Sequence, residues 1–168
     1  QPLGSSWGSD ASECDENYIW MMDTFYNYLS AGLFAPELLL DGVRFFCFRS
    51  LPGAKAKAFW RAAGKLSPND ECTHSLGNAV APIVLAGRYY DLTGDGAILR
   101  EWTAQDPDSG AEVALDARFE RLLADLLATR QADEPHLFRS QWLSDGPARG
   151  TYHTGSNMLA WYALRVAA

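Results

Sequence analysis

Three apolar stretches, each opened by an asparagine and each preceded by a long polar segment, constrain this chain more than any other feature. They begin at Asn17, Asn78 and Asn157, so the unit recurs 61 and then 79 residues apart. The first spaces Tyr18, Met21, Met22, Phe25, Tyr28 and Leu29 by threes and fours, which predicts a helix from Asn17 to Ala31. Asparagine is a good N-cap, and Gly32 supplies a stop. Pro36 then opens a second helix to about Phe48, and Ala54 to Gly64 reads as a further helical piece. The pattern repeats: a polar loop over Leu66–Gly77, a helix from Asn78 to about Tyr90, a tight turn at Leu92–Gly96, and a helix over Ala97–Thr103. A long amphipathic helix follows over Glu112–Arg130. The loop Gln131–Gly155 leads to Asn157 and a last apolar helix. No stretch alternates with period two for long enough to read as a strand, so the expected class is all-α.

A unit of helix, short turn, kinked helix and long loop builds stacked helical hairpins, with apolar helices inside and amphipathic ones outside. Short turns then collect at one end, while the loops 1–16, 65–77 and 131–156 collect at the other. Function concentrates on long loops held by a rigid scaffold. All three histidines of the chain fall in those loops or at their edges, with Trp7, Asp10, Glu13, Asp15, Glu16, Arg139, Trp142, Asp145, Arg149 and Tyr152.

Charge narrows the partners. Fourteen Lys and Arg against 21 Asp and Glu leave a net charge of −7, which disfavours nucleic acid and anionic membrane surfaces. The longest apolar run, Ala79 to Gly87, is short for a membrane span and is interrupted by Pro82. Of the three cysteines, Cys47 reads as a small buried hydrophobe, while Cys14 and Cys72 lie in loops and could pair. No cofactor or metal is expected. The run Asp91-x-Thr93-x-Asp95-Gly96 starts like a calcium loop, but Glu101 falls one position short of the bidentate ligand such a loop needs. Cys14, Cys72 and His74 match no zinc spacing.

Several segments resemble the six-hairpin (α/α) toroid, the scaffold of glucoamylase-like, trehalase-like and rhamnosidase-like glycosidases and of several polysaccharide lyases. The resemblance rests on Tyr89-Tyr90-Asp91-Leu92-Thr93-Gly94-Asp95 followed by Ile98-Leu99-Arg100-Glu101, on Trp7-Gly8-Ser9-Asp10 with Asp15 to Asp23, and on Tyr152 to Trp161. It implies an all-α partial toroid in which residues 1–168 form one domain. Because the chain supplies only part of six hairpins, the expectation is a fragment of a larger toroid, completed by further chain or by a second chain.

The resemblance also implies a glycoside hydrolase acting on an oligosaccharide or polysaccharide. Such chemistry needs a protonated carboxyl at the leaving oxygen and a second carboxylate for water or the sugar. Glu13 is the first candidate for the acid, Asp145 is its partner from the third loop, and Asp15 is next in line. The plainer reading of these carboxylates is helix capping or an ordinary turn. Trp7 and Trp142 are candidates for sugar stacking or for packing of their loops, whereas Trp20, Trp60, Trp102 and Trp161 are assigned to helices and the core. Asp10, Arg149, Tyr152 and His153 are candidates for binding substrate hydroxyls. A lyase on the same scaffold would use His153 or Tyr152 as base or acid and Arg149 to hold a uronate carboxylate. A third reading is a helical-repeat module that binds protein through its aromatic face.

Overall fold

A computed structural model describes residues 18–49, 59–61, 76–105, 111–128, 130, 136–139 and 152–168. Helix dominates. The elements in order are β1 (Tyr18–Trp20), α1 (Met21–Ala31), α2 (Glu37–Arg49), β2 (Phe59–Arg61), α3 (Leu76–Thr93), α4 (Ile98–Glu101), β3 (Thr103–Gln105), β4 (Glu112–Ala114), α5 (Leu115–Ala128) and α6 (Thr154–Ala167).

The first hairpin forms for the reasons its sequence supplies. Gly32 closes α1, donating its N–H to the Tyr28 carbonyl at 2.9 Å. A side chain there would collide with Leu39, so the glycine also lets α2 fold back tightly. Pro36 sits immediately before α2, and its carbonyl accepts the Leu39 N–H at 3.0 Å. The two helices meet through aromatic rings: Phe25 and Phe46 stand edge to face at 6.4 Å, and Tyr28 and Phe45 are tilted at 6.4 Å.

α3 is the centre of the molecule. It packs against α1, α2, α5 and α6, and every residue from Leu76 to Ala86 is buried. Gly42 of α2 makes one close approach, since a Cβ there would lie 2.8 Å from a Leu85 methyl and 2.9 Å from the Tyr28 ring. Pro82 lies inside this helix without ending it, although it has no N–H to give the Asn78 carbonyl. No helix among the described residues is long and apolar enough to cross a membrane.

α3 ends in a turn that is closed by its own side chains. Gly94, at φ 71°, donates to the Tyr90 carbonyl at 2.8 Å. The Thr93 hydroxyl donates to the Tyr89 carbonyl and accepts from the Asp95 N–H. One Asp95 oxygen accepts the Ala97 N–H at 2.9 Å, and the other accepts the Tyr89 hydroxyl at 3.2 Å. Thr93 and Asp95, two residues of the run that starts like a calcium loop, are thus engaged in closing a helix turn.

The structure corrects several boundaries. Tyr18–Trp20, expected as the first turn of a helix, is a strand paired antiparallel with Phe59–Arg61, in a segment also expected to be helical. Thr103–Gln105 and Glu112–Ala114 form a second antiparallel pair, so α5 starts at Leu115 instead of Glu112. Three-residue ladders are too short to leave an alternating signature, and triplets such as Tyr-Ile-Trp suit extended backbone. Trp20 and Trp60 accordingly lie on strands, and Trp102 has extended backbone just after α4. Its ring lies 3.7 Å from the Arg44 guanidinium. Two of the expected caps are also displaced. Asn78 sits inside α3 and is buried, and Asn157 sits inside the first turn of α6. Asn17 lies outside the described residues.

α1, α3 and α6 lie side by side with α3 in the middle. Gly87 near the end of α3 faces Val166 near the end of α6, and Leu159 and Tyr162 share a groove with Val84 and Arg88. Ala160 and Ala163 form the buried stripe of α6, and small residues at the contact let the two backbones approach closely.

Candidate functional site

The start of α6 is built by two side chains with different tasks. His153 is the N-cap: its Nδ1 accepts the Ser156 N–H at 3.1 Å and lies 2.9 Å from the Ser156 hydroxyl. An Nδ1 that accepts a backbone N–H carries no proton, so the neutral ring holds its proton on Nε2. One turn on, Asn157 works as a clip. Its carbonyl oxygen accepts the Phe138 N–H at 2.7 Å, and its amide donates to the Phe138 and His153 carbonyls, both at 3.0 Å. A primary amide presents the same donor and acceptor pair as a peptide edge, so it can hold the segment 136–139 against the helix. Phe138 is buried there, bridged through its backbone to Arg130, whose guanidinium lies 5.2 Å from the phenyl ring.

The clip leaves an open groove of about 520 Å³ between that segment and α6. His136, Tyr152, Thr154, Met158, Trp161 and Tyr162 line it, and no Asp, Glu, Lys or Arg does among the described residues. Trp161 is 58% exposed and Tyr162 is 39% exposed. Arg165, one turn along α6, holds its guanidinium 5.2 Å from the Trp161 ring. Tyr162 also borders a second groove, of about 490 Å³, whose other walls are Phe25, Tyr26 and Leu33 from the α1 side and Val84 and Arg88 from α3. The two grooves have Tyr162 in common.

Of the candidate residues, Glu13, Asp15, Asp145, Trp7, Asp10, Trp142 and Arg149 lie outside the described residues, as do Cys14 and Cys72. Tyr152 lines the groove, together with His136. His153 does not line it and is occupied in capping. Trp161, expected in the core, is instead a surface residue of the groove. The reason is packing: the α3 contact takes the small stripe Ala160 and Ala163, which turns the bulky residues of α6 outward. A signal was present in the sequence, because Ala160 and Ala163 stand three apart while Met158, Trp161, Tyr162 and Arg165 occupy the remaining face.

Cys47 is buried at the α2 side of the core, and burial pushes its thiol up to about 12, with the nearby Arg118 charge pulling weakly the other way. It has the character of a packing residue rather than a nucleophile. Among the described residues, no group of three or more His, Cys, Asp and Glu is arranged to hold a metal ion. Compared with known proteins, the chain matches no family model, no curated protein and no solved structure.

Chemically, the groove can stack flat apolar faces on Trp161, Tyr162 and Tyr152 and exchange hydrogen bonds through phenol, hydroxyl and imidazole groups. It supplies no carboxylate of its own among the described residues.

Proposed function

We propose that this chain is part of a carbohydrate-active enzyme of the helical-toroid type, a glycoside hydrolase, and that the groove at the start of α6 binds sugar. The observation that carries the reading is the exposed Trp161–Tyr162 pair beside a hydrogen-bonding groove that no charged side chain lines among the described residues. Sugar rings offer one apolar face to an aromatic plane and a rim of hydroxyls to neutral polar groups, which is the chemistry this surface presents. The side-by-side α1, α3 and α6 agree with an inner wall of such a toroid.

Hydrolysis in this reading falls to Glu13 and Asp145, with Asp15 as the alternative. Glu13 protonates the leaving glycosidic oxygen while the carboxylate partner takes a proton from the attacking water or attacks the anomeric carbon. Titration of a neutral oligosaccharide panel, followed by tryptophan fluorescence and calorimetry, tests the binding half. Trp161→Ala is expected to weaken binding by roughly tenfold, the size of one lost stacking contact. Absence of binding to every neutral oligosaccharide removes the proposal. Glu13→Gln tests the catalytic half separately, through loss of hydrolysis with retained sugar binding.

The lyase alternative draws less support from this groove. His153 spends its Nδ1 lone pair on the cap, and no Lys or Arg lines the groove among the described residues. A protein-binding module is the second reading, and its own observation is the apolar surface beside the groove, with Phe34 91%, Leu33 56% and Tyr26 55% exposed. A missing remainder of the toroid or a second chain would cover the same surface.

A further inference from the structure

A third cavity lies near the other end of α6, about 15 Å along the helix from Asn157 at the usual rise per residue. It holds about 370 Å³, within the range of small-molecule sites. Its walls are apolar: Ile83 and Ala86 from α3, Phe119 and Leu123 from α5, Leu99 from α4, and Val166 from α6. Helical spacing brings them there. Ile83, Ala86, Gly87 and Tyr90 stand at positions i, i+3, i+4 and i+7 on one face of α3, and Asp116, Phe119, Glu120 and Leu123 do the same on α5. Gly87 shapes the floor, because any side chain at that position would collide with Val166.

The polar groups of the lining are unbalanced in charge. Asp95, Asp116 and Glu120 contribute three carboxylates, and no Lys or Arg lines the cavity among the described residues. None of the three is ion-paired among the described residues. Asp95 is committed to the Tyr89 hydroxyl and the Ala97 N–H, and Asp116 to the Ala117 N–H at 2.6 Å. Tyr90, 56% exposed, adds the face of a phenol ring at the same edge. An apolar pocket bordered by negative charge and an aromatic face repels anions, and offers a cation with an apolar body both burial and a charge partner.

The geometry points to this cavity as a binding site for an organic cation, an ammonium carried on a short hydrocarbon body. The hydrocarbon lies against Ile83, Phe119 and Leu123, and the ammonium lies at the carboxylates and Tyr90. The site is separate from the aromatic groove and does not depend on how that groove is used.

Calorimetric titration of the full chain with n-hexylammonium, n-hexanol and hexanoate at low salt tests it. These probes share a chain and differ in the head group. Hexylammonium is expected to bind about tenfold or more tightly than hexanol, with the advantage falling as salt rises, and hexanoate is expected not to bind. Asp116→Asn combined with Glu120→Gln should remove most of the advantage of hexylammonium over hexanol, leaving the share of Asp95. Glu120→Gln alone, at an exposed residue, should remove a smaller part. Equal binding of hexylammonium and hexanol, preference for hexanoate, no binding of any probe, or an unchanged advantage in the double variant would each overturn the proposal.

Discussion

α3 and α6 look alike as sequence and behave differently in the molecule. Each is apolar, each carries an asparagine near its start, and each was read as the same kind of helix. α3 is buried from Leu76 to Ala86, because α1, α2, α5 and α6 pack against it. α6 buries only Ala160 and Ala163 and presents Met158, Trp161 and Tyr162 to solvent. Apolar content sets what a helix can bury, and the number of neighbours sets what it does bury. Where neighbours are few, small residues take the contact and large aromatic ones remain exposed.

The sharpest way to break this comparison is to truncate a large side chain on each helix. Leu85→Ala in α3 should cost about 2–5 kcal/mol, because Leu85 is fully buried and its loss leaves a cavity. Trp161→Ala in α6, a larger truncation, should change stability by less than about 1 kcal/mol because most of the indole is already in water. Chemical denaturation of both variants measures the contrast, and equal losses would mean that α6 is as enclosed as α3.

Next in size is the contact that joins the two helices. Gly87→Leu places a side chain where Val166 packs and should destabilise by about 1–3 kcal/mol or more. The companion change Val166→Ala should recover part of that loss in a double-mutant cycle. Additive losses would show that the two residues do not meet.

Smaller effects are expected at the start of α6. Asn157→Ala removes three hydrogen bonds and should cost about 1–2 kcal/mol, with faster amide exchange at Phe138. His153→Ala removes the cap and should cost about 1 kcal/mol, whereas His153→Asp should keep most of it. A loss with His153→Ala that His153→Asp does not restore would give the imidazole a task beyond capping.

The last difference is absent at neutral pH and appears only in alkali. The Cys47 thiol stands at about 12 in the folded chain against 9.0 for an ordinary thiol. Below pH 9 both states hold the proton, so stability is unaffected. Between pH 9 and 12 the unfolded chain ionises first, so stability should fall as pH rises through that window. Cys47→Ala should flatten this part of the melting-temperature profile. An unchanged slope in that variant would assign the alkaline loss to other groups.

Helical class, the hairpin break at Gly32 and Pro36, and the turn at Gly94 were legible in the residues, because propensity, capping and a positive φ are local properties. The strand pairs Tyr18–Trp20 with Phe59–Arg61 and Thr103–Gln105 with Glu112–Ala114 were not legible, since three residues carry too little pattern and the pairing partner of β1 is far away in the chain. In the groove, Tyr152 was legible from its place before an apolar helix. His153 was read as a binding residue, yet the same position makes it a cap.

What the sequence determined by itself is therefore the set of local decisions: where helices run, where glycine and proline stop them, and which residues are available to bury. Only the tertiary structure decided which side of α6 faces α3, that Asn157 clips a distant segment, and that Trp161 stays in water. Helical periodicity identifies the faces of a helix but not the helix that will cover them. That choice depends on how closely two backbones can approach, and here Gly87, Ala160 and Ala163 settled it by being small.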